Sequence, residues 1–337
     1  MSRRPTFSVS AKLSQRLNVI ALVMTALIVV TGGAVRLTGS GLGCSNWPEC
    51  TAGHLTPPLQ FHGLVEFGNR MVTIVLVIAV AAAFLGAVFR SPRRSDLIWL
   101  TGGLVAGVLA QAVLGGIVVY TKLNPYVVMV HFFASMALLV DAVVLVHRGK
   151  LDYAPGSGHL LVPRPLVRLY YGLLALLGLV LAAGTATSGA GPHAGDSSGQ
   201  QVAKRLPFAL RSVAELHSSL ALLLIGVTIG MAVALHVVDV PERVRRAGRV
   251  LVAVLVAQAG VGYVQYFTHL PALVVEVHLV GATVLVIGAV QAFLACTYHA
   301  PESLEAGAGA MTVVSGDDLA EPADVGDVTA SSGVAGV

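Results

Sequence analysis

The stretch QAVLGGIVVYTKLNPYVVMVH, residues 111–131, aligns without a gap against QAGVGYVQYFTHLPALVVEVH, residues 258–278, with nine of 21 positions identical. Apolar segments match by chance with ease, but a Gln and a His spaced twenty apart in both copies do not. Further out, TGSG (Thr38 to Gly41) stands against SGAG (Ser188 to Gly191) after the first apolar run of each half. The chain therefore reads as a duplication.

The surrounding composition sets the solvent. Of the 337 residues, 55% are hydrophobic and 11% charged, and the mean hydropathy is +0.81, far from the balance of a water-soluble chain. About 20 apolar residues are needed to cross a hydrocarbon layer roughly 30 Å thick. Eight such runs lie near residues 17–36, 66–89, 97–120, 125–147, 166–188, 208–237, 246–268 and 272–297. They lack the two-residue alternation of barrel strands, and lipid does not tolerate unpaired backbone, so each is expected to be a helix. The expected fold is an all-α membrane protein, eight transmembrane helices as two tandem four-helix bundles in parallel repeat, the repeat axis along the membrane normal.

The formal charge of +4 does not point to nucleic acid, because the basic residues mark topology. Fifteen of the 21 Lys and Arg flank alternate helix ends: Arg3, Arg4, Lys12 and Arg16; Arg90, Arg93 and Arg94; Arg148, Lys150, Arg164 and Arg168; Arg243, Arg245, Arg246 and Arg249. The positive-inside rule places both termini in the cytoplasm. No small-residue cleavage site follows the first run, so it is expected to stay. The expected organisation is a cytoplasmic N-terminus (1–16), a first four-helix half (17–148), a Gly- and Pro-rich linker (149–165), a second half (166–298) and an acidic, disordered cytoplasmic tail (299–337).

Of three cysteines, Cys44 and Cys50 share the first outer loop and Cys296 sits at an inner helix end, where it reads as a small buried hydrophobe. Outside the membrane Cys44 and Cys50 can persist as a disulfide stapling that loop; a thiol relay is the sharper alternative.

Topology also sorts the eleven histidines. His147, His236 and His299 lie at inner helix ends, while His54, His159, His193 and His269 lie in loops. His62, His131, His217 and His278 recur near the outer start of helices 2, 4, 6 and 8. Ionisable groups inside a bundle are costly and default to function. Neutral imidazoles at matched depth suit axial ligation of haem, so two haem-sized sites, one per half, are expected. On helix 2, Glu66 shares a face with His62 and Asn69, near Arg70. It reads either as a partner of Arg70 or as a base or anion acting on a substrate. Glu215 and Glu276 are read as structural. Trp47, Arg36 and the Gly-rich turns are expected to shape the outer surface, and the glycines of helices 3 and 7 to serve helix packing.

These residues together resemble the haem A synthase family: GGAVRLTGSGLGCSNWPEC, VEFGNRM, the histidines of helices 4, 6 and 8, and the GPHAGD loop (Gly191 to Asp196), over residues 17–297. The resemblance implies oxidation of a methyl group of haem O to a formyl group by successive hydroxylations, supplying haem A to terminal oxidases. It implies haem B in the second half with His217 and His278 as iron ligands. In the first half it implies haem O as substrate, held by His131, with Glu66 as the catalytic carboxylate. Cys44 and Cys50 match the family's paired outer-loop cysteines. A haem O synthase and a redox partner or quinone are the implied partners, besides the lipid bilayer. One departure stands out: the family pattern Glu-x-x-His-Arg reads Glu66-Phe67-Gly68-Asn69-Arg70 here, which leaves His62, two turns away, or Asn69 to face the substrate haem. The competing classes are a diheme b-type cytochrome that only transfers electrons, and a transporter.

Overall fold

The computed structural model describes residues 8–57, 59–150, 153–195 and 203–301. Eight long helices account for all eight apolar runs: α1 (Ala11–Leu37), α2 (Phe61–Val88), α3 (Ser95–Tyr120), α4 (Pro125–Gly149), α5 (Arg164–Ala190), α6 (Leu210–Val237), α7 (Glu242–Phe267) and α8 (Ala272–Leu294). Several begin earlier than their apolar runs, because helix starts are set by capping and not by hydropathy. Ser10 accepts a hydrogen bond from the Leu13 N–H and opens α1 six residues ahead of its apolar run. Asn124 caps α4 with Pro125 in its first turn, and prolines stand just before α5, α7 and α8. Hydroxyls within the layer bond back to their own helix, as Thr25 does to the Ala21 carbonyl and Thr228 to that of Leu224.

Within each half the neighbours are the same: α1 packs on α2 and α4, and α3 on α2 and α4; α5 packs on α6 and α8, and α7 on α6 and α8. The halves meet mainly along α4 and α8, flanked by α1 on α8 and α4 on α5. Leu104, Leu139, Leu173, Leu224 and Leu251 fill the interior, while Ile78, Leu109, Leu179 and Val233 face outward, where lipid covers them.

The helix hairpins put arginine-rich ends on one face, the basic face, and the two longest connections, those after α1 and α5, on the other, the loop face. On the basic face β1 (Val9–Ser10) pairs in parallel with β2 (Arg90–Ser91). There also, β3 (Tyr153–Leu160), within the linker, pairs antiparallel with β4 (Thr297–Pro301), which follows α8. The linker thus carries a strand that apolar periodicity does not signal, since backbone pairing to a distant segment supplies its hydrogen bonds. Residues 302–337 of the expected tail lie outside the described residues.

Both α3–α4 and α7–α8 turns place two non-glycine residues in the left-handed region: Lys122 and Leu123 with φ of 53° and 59°, His269 and Leu270 with φ of 64° and 62°. Each such residue costs roughly 1–2 kcal/mol. The same closing bonds offset that cost in both, from Leu123 N–H to the Val118 carbonyl and from Leu270 N–H to that of Gln265, both 2.9 Å.

Candidate haem-ligand site

These matched turns set equal depths. His131 and His278 each stand six residues into their helix, about 9 Å along it. The Gln at the head of each repeat reaches the same backbone: Gln111 Nε2 donates to the His131 carbonyl (3.0 Å) and Gln258 Nε2 to the His278 carbonyl (2.8 Å). The spacing of twenty is thus the length of a helical hairpin whose two arms are tied at that level. Gln111 also reaches the Ser135 hydroxyl, an addition peculiar to the first half.

Each half-buried imidazole lies against a glycine of the neighbouring helix. A Cβ at Gly184 would stand 3.0 Å from His217 Cε1, one at Gly262 3.2 Å from His278 Cε1, and one at Gly115 3.8 Å from His131 Cε1. Gly115 and Gly262 occupy the fifth position of the two repeats, so the signal was present in the alignment. Their role as imidazole seats needed the packing.

In the second half, His217 and His278 face each other with ring centroids 6.2 Å apart and planes at 78°. His217 Nδ1 donates to the Val180 carbonyl (3.0 Å), which leaves Nε2 as the free lone pair. That is the arrangement by which a backbone acceptor fixes a ligand imidazole's tautomer. His278 Nδ1 is buried without a hydrogen-bond partner among the described residues. Metal–imidazole bonds are about 2 Å long, so rings at this separation can hold one ion between them.

The first half differs. His131 is seated alike, and its Nδ1 also lacks a partner among the described residues. At the position corresponding to His217, however, Asn69 accepts through Oδ1 from the Thr31 hydroxyl of α1 (2.7 Å). His62 stands in the first turn of α2 and its Nδ1 meets the Ser40 hydroxyl (3.0 Å), which in turn meets Thr38. His62 therefore belongs to the mouth of the bundle, about 10 Å along the helix from Asn69.

Glu66 is buried beneath the first loop. Its Oε1 pairs with Arg70 Nη2 (2.7 Å) and its Oε2 accepts from the Cys44 N–H (2.6 Å). Arg70 also donates to the carbonyls of Asn46 (2.9 Å) and Glu49 (2.9 Å). Cys44 and Cys50 form a disulfide. Trp47 of the same loop lies on Gly116 of α3, and Tyr120 donates to the Trp47 carbonyl (2.7 Å). Carboxylate, arginine and stapled loop are one unit that closes the first half on the loop face.

A family model described as a cytochrome oxidase assembly protein, COX15-CtaA, matches residues 15–63 and 58–290. The chain belongs to the COX15-CtaA family. Among curated relatives, it is 39% identical over 137 residues to a protein named Heme A synthase from Geobacillus kaustophilus (strain HTA426), which is 40% of this chain and 42% of that one. To a Heme A synthase from Geobacillus thermodenitrificans it is 38% identical over 115 residues, 33% and 35% of the two chains. A Heme A synthase from Staphylococcus saprophyticus is 29% identical over 163 residues, 48% and 54%. The matched stretches thus span about a third to a half of those relatives' length.

In this COX15-CtaA chain the loop face also joins the halves. Arg36 of α1 donates from Nε to the His193 carbonyl (2.9 Å) and from Nη2 to that of Ser188 (3.0 Å), and the Gly41 N–H reaches the Gly195 carbonyl (2.8 Å). His193 Nε2 donates onward to the Leu270 carbonyl (2.9 Å). The segments that follow α1 and α5 therefore meet on the loop face. Cys296 is buried, as expected of a small hydrophobe.

Proposed function

We propose that the chain is a haem A synthase, oxidising a methyl group of haem O to a formyl group by successive hydroxylations, in the plasma membrane with both termini cytoplasmic. The observation that carries this reading is the inequality of the two halves. In one, two imidazoles face each other at 6.2 Å; in the other, the imidazole of His131 has Asn69 at the corresponding place. A closed pair suits a resident haem B, and a single imidazole suits a haem that arrives, reacts and leaves.

In the second half His217 and His278 would hold haem B, His217 through Nε2 since its Nδ1 is committed to Val180. Haem B, when bound, supplies one-electron redox chemistry there. In the first half His131 would hold haem O. Glu66, fixed by Arg70 and the Cys44 N–H, acts as a preorganised anion toward positive charge developing on the substrate. The stapled loop, with Trp47 against Gly116, excludes water from that side. His62, bonded to Ser40, lines the entrance. Haem O delivery from a haem O synthase, and electron passage to a redox partner or quinone, belong to the same reading.

The test is pyridine haemochrome analysis of the purified protein, expressed with and without a haem O supply. Haem B in both preparations, with haem A appearing only with the supply, is the expected result. Purification without any haem would overturn the reading, and haem B with no haem A under supply would reduce the chain to an electron carrier.

A further inference from the structure

On the basic face of the second half, a groove runs between α6 and α7 that the proposed reaction does not use. Its volume is about 790 Å³, within the roughly 300–1,000 Å³ typical of small-molecule sites. Its walls are apolar, among them Ile229, Val233, Val252 and Val256, with Ala253 leaving space between them, and at its basic end stand His236 and Arg249. From Arg249 to the level of Ala257 it runs about 12 Å toward the middle of the layer.

The polar end is cationic on balance. Arg249 Nη2 and Arg245 Nη1 (3.9 Å) share the single carboxylate of Glu242. Arg249 Nη1 also lies 3.5 Å from His236 Nε2, whose ring is held through Nδ1 donating to the Ala232 carbonyl (2.7 Å). The side chain of Arg249 remains 48% exposed. Arg249 is thus an accessible cation directly below an apolar slot.

We infer that this groove binds an anionic phospholipid of the basic-face leaflet, its phosphate at Arg249 and one acyl chain lying between α6 and α7. The polarity of the groove carries the assignment. An accessible cation selects a negative head, and the slot above it has no polar partner for anything but hydrocarbon. A partner helix would leave the half-exposed arginine against an apolar surface.

The full chain, purified in detergent and equilibrated in mixed micelles holding equal phosphatidylglycerol and phosphatidylcholine, is passed over a sizing column, and retained lipid is counted by mass spectrometry. Wild type should retain phosphatidylglycerol over phosphatidylcholine by about fivefold, the preference expected from one arginine at the membrane surface. Arg249→Gln should bring the ratio close to one. Ala253→Phe, which fills the slot without touching a charge, should lower the retained phosphatidylglycerol to less than half. Arg211→Gln, on the loop face, should change neither. Equal retention of both lipids by wild type, or phosphatidylglycerol retention that survives Ala253→Phe, would overturn the assignment. A loss in Arg211→Gln as large as that in Arg249→Gln would do the same. Should Arg249→Gln fail to fold, the Ala253→Phe arm still decides.

Discussion

Gln258 of α7 donates from its side-chain amide to the backbone carbonyl of His278 on α8, at 2.8 Å, and Gln111 makes the same bond to His131 at 3.0 Å. Because the tie is to backbone, it locates the helix turn that carries the imidazole and leaves the ring's nitrogens unengaged. The glutamine is thus a positioning residue. Gly281 is part of the arrangement, since a methyl there would overlap the Gln258 amide.

Gln258→Ala should therefore lower stability by about 1 kcal/mol, the net worth of one such hydrogen bond. A thermal unfolding series in detergent checks this. The haem B absorption band of the folded fraction should remain but broaden, because the ligand-bearing turn is less well fixed. An unfolding curve and spectrum identical to wild type would show that the tie positions nothing.

The glycine seats separate by distance. Gly184→Ala places a methyl 3.0 Å from His217 Cε1, closer than ordinary contact, whereas Gly115→Ala places one 3.8 Å from His131 Cε1, at ordinary contact. Haem B content per protein should fall several-fold in the first variant, since ligand geometry tolerates little displacement. In the second, haem A formation, which reads the site of His131, should be unchanged. Equal effects in both would mean that the seats do not discriminate.

Asn69 stands where the second half has His217, bonded to Thr31. Asn69→His should supply a second imidazole to the site of His131 and convert it toward the closed type. The expected outcome is more haem retained per protein and slower haem A formation, read by haemochrome analysis and product assay. Unaltered stoichiometry would place Asn69 outside the haem site.

Glu66 and Arg70 should part in their effects. Glu66→Gln keeps the size and one acceptor for the Cys44 N–H, so it should retain haem B while haem A formation falls by at least about a hundredfold, the scale of losing a preorganised electrostatic contact. Arg70→Ala releases the loop carbonyls of Asn46 and Glu49 as well, and it should cost about 1.5–3 kcal/mol of stability. It should also speed reduction of the Cys44–Cys50 bond by dithiothreitol. Full haem A formation by Glu66→Gln would remove Glu66 from the reaction.

The positions of the helices were legible because lipid makes the rule simple: long apolar runs have no alternative to helix. Their ends were less so. Ser10 and the prolines before α5 and α7 extend helices past the apolar layer, where capping, not hydropathy, decides. The pairing of β3 with β4 had no local signal at all, since its partners are more than a hundred residues apart.

By itself, the sequence determined the eight spans, the repeated Gln–His spacing and the matched depth of His131 and His278, while Asn69 as a departure came from the resemblance to the family pattern. Those follow from composition, spacing and alignment, which are properties of a line. Only tertiary structure decided that His217 and His278 face each other, that glycines seat the imidazoles, that Glu66 is clasped by Arg70 and the stapled loop, and that His62 turns to Ser40. Each of these depends on which helix faces which and at what rotation, and that is set by packing among side chains far apart in the chain.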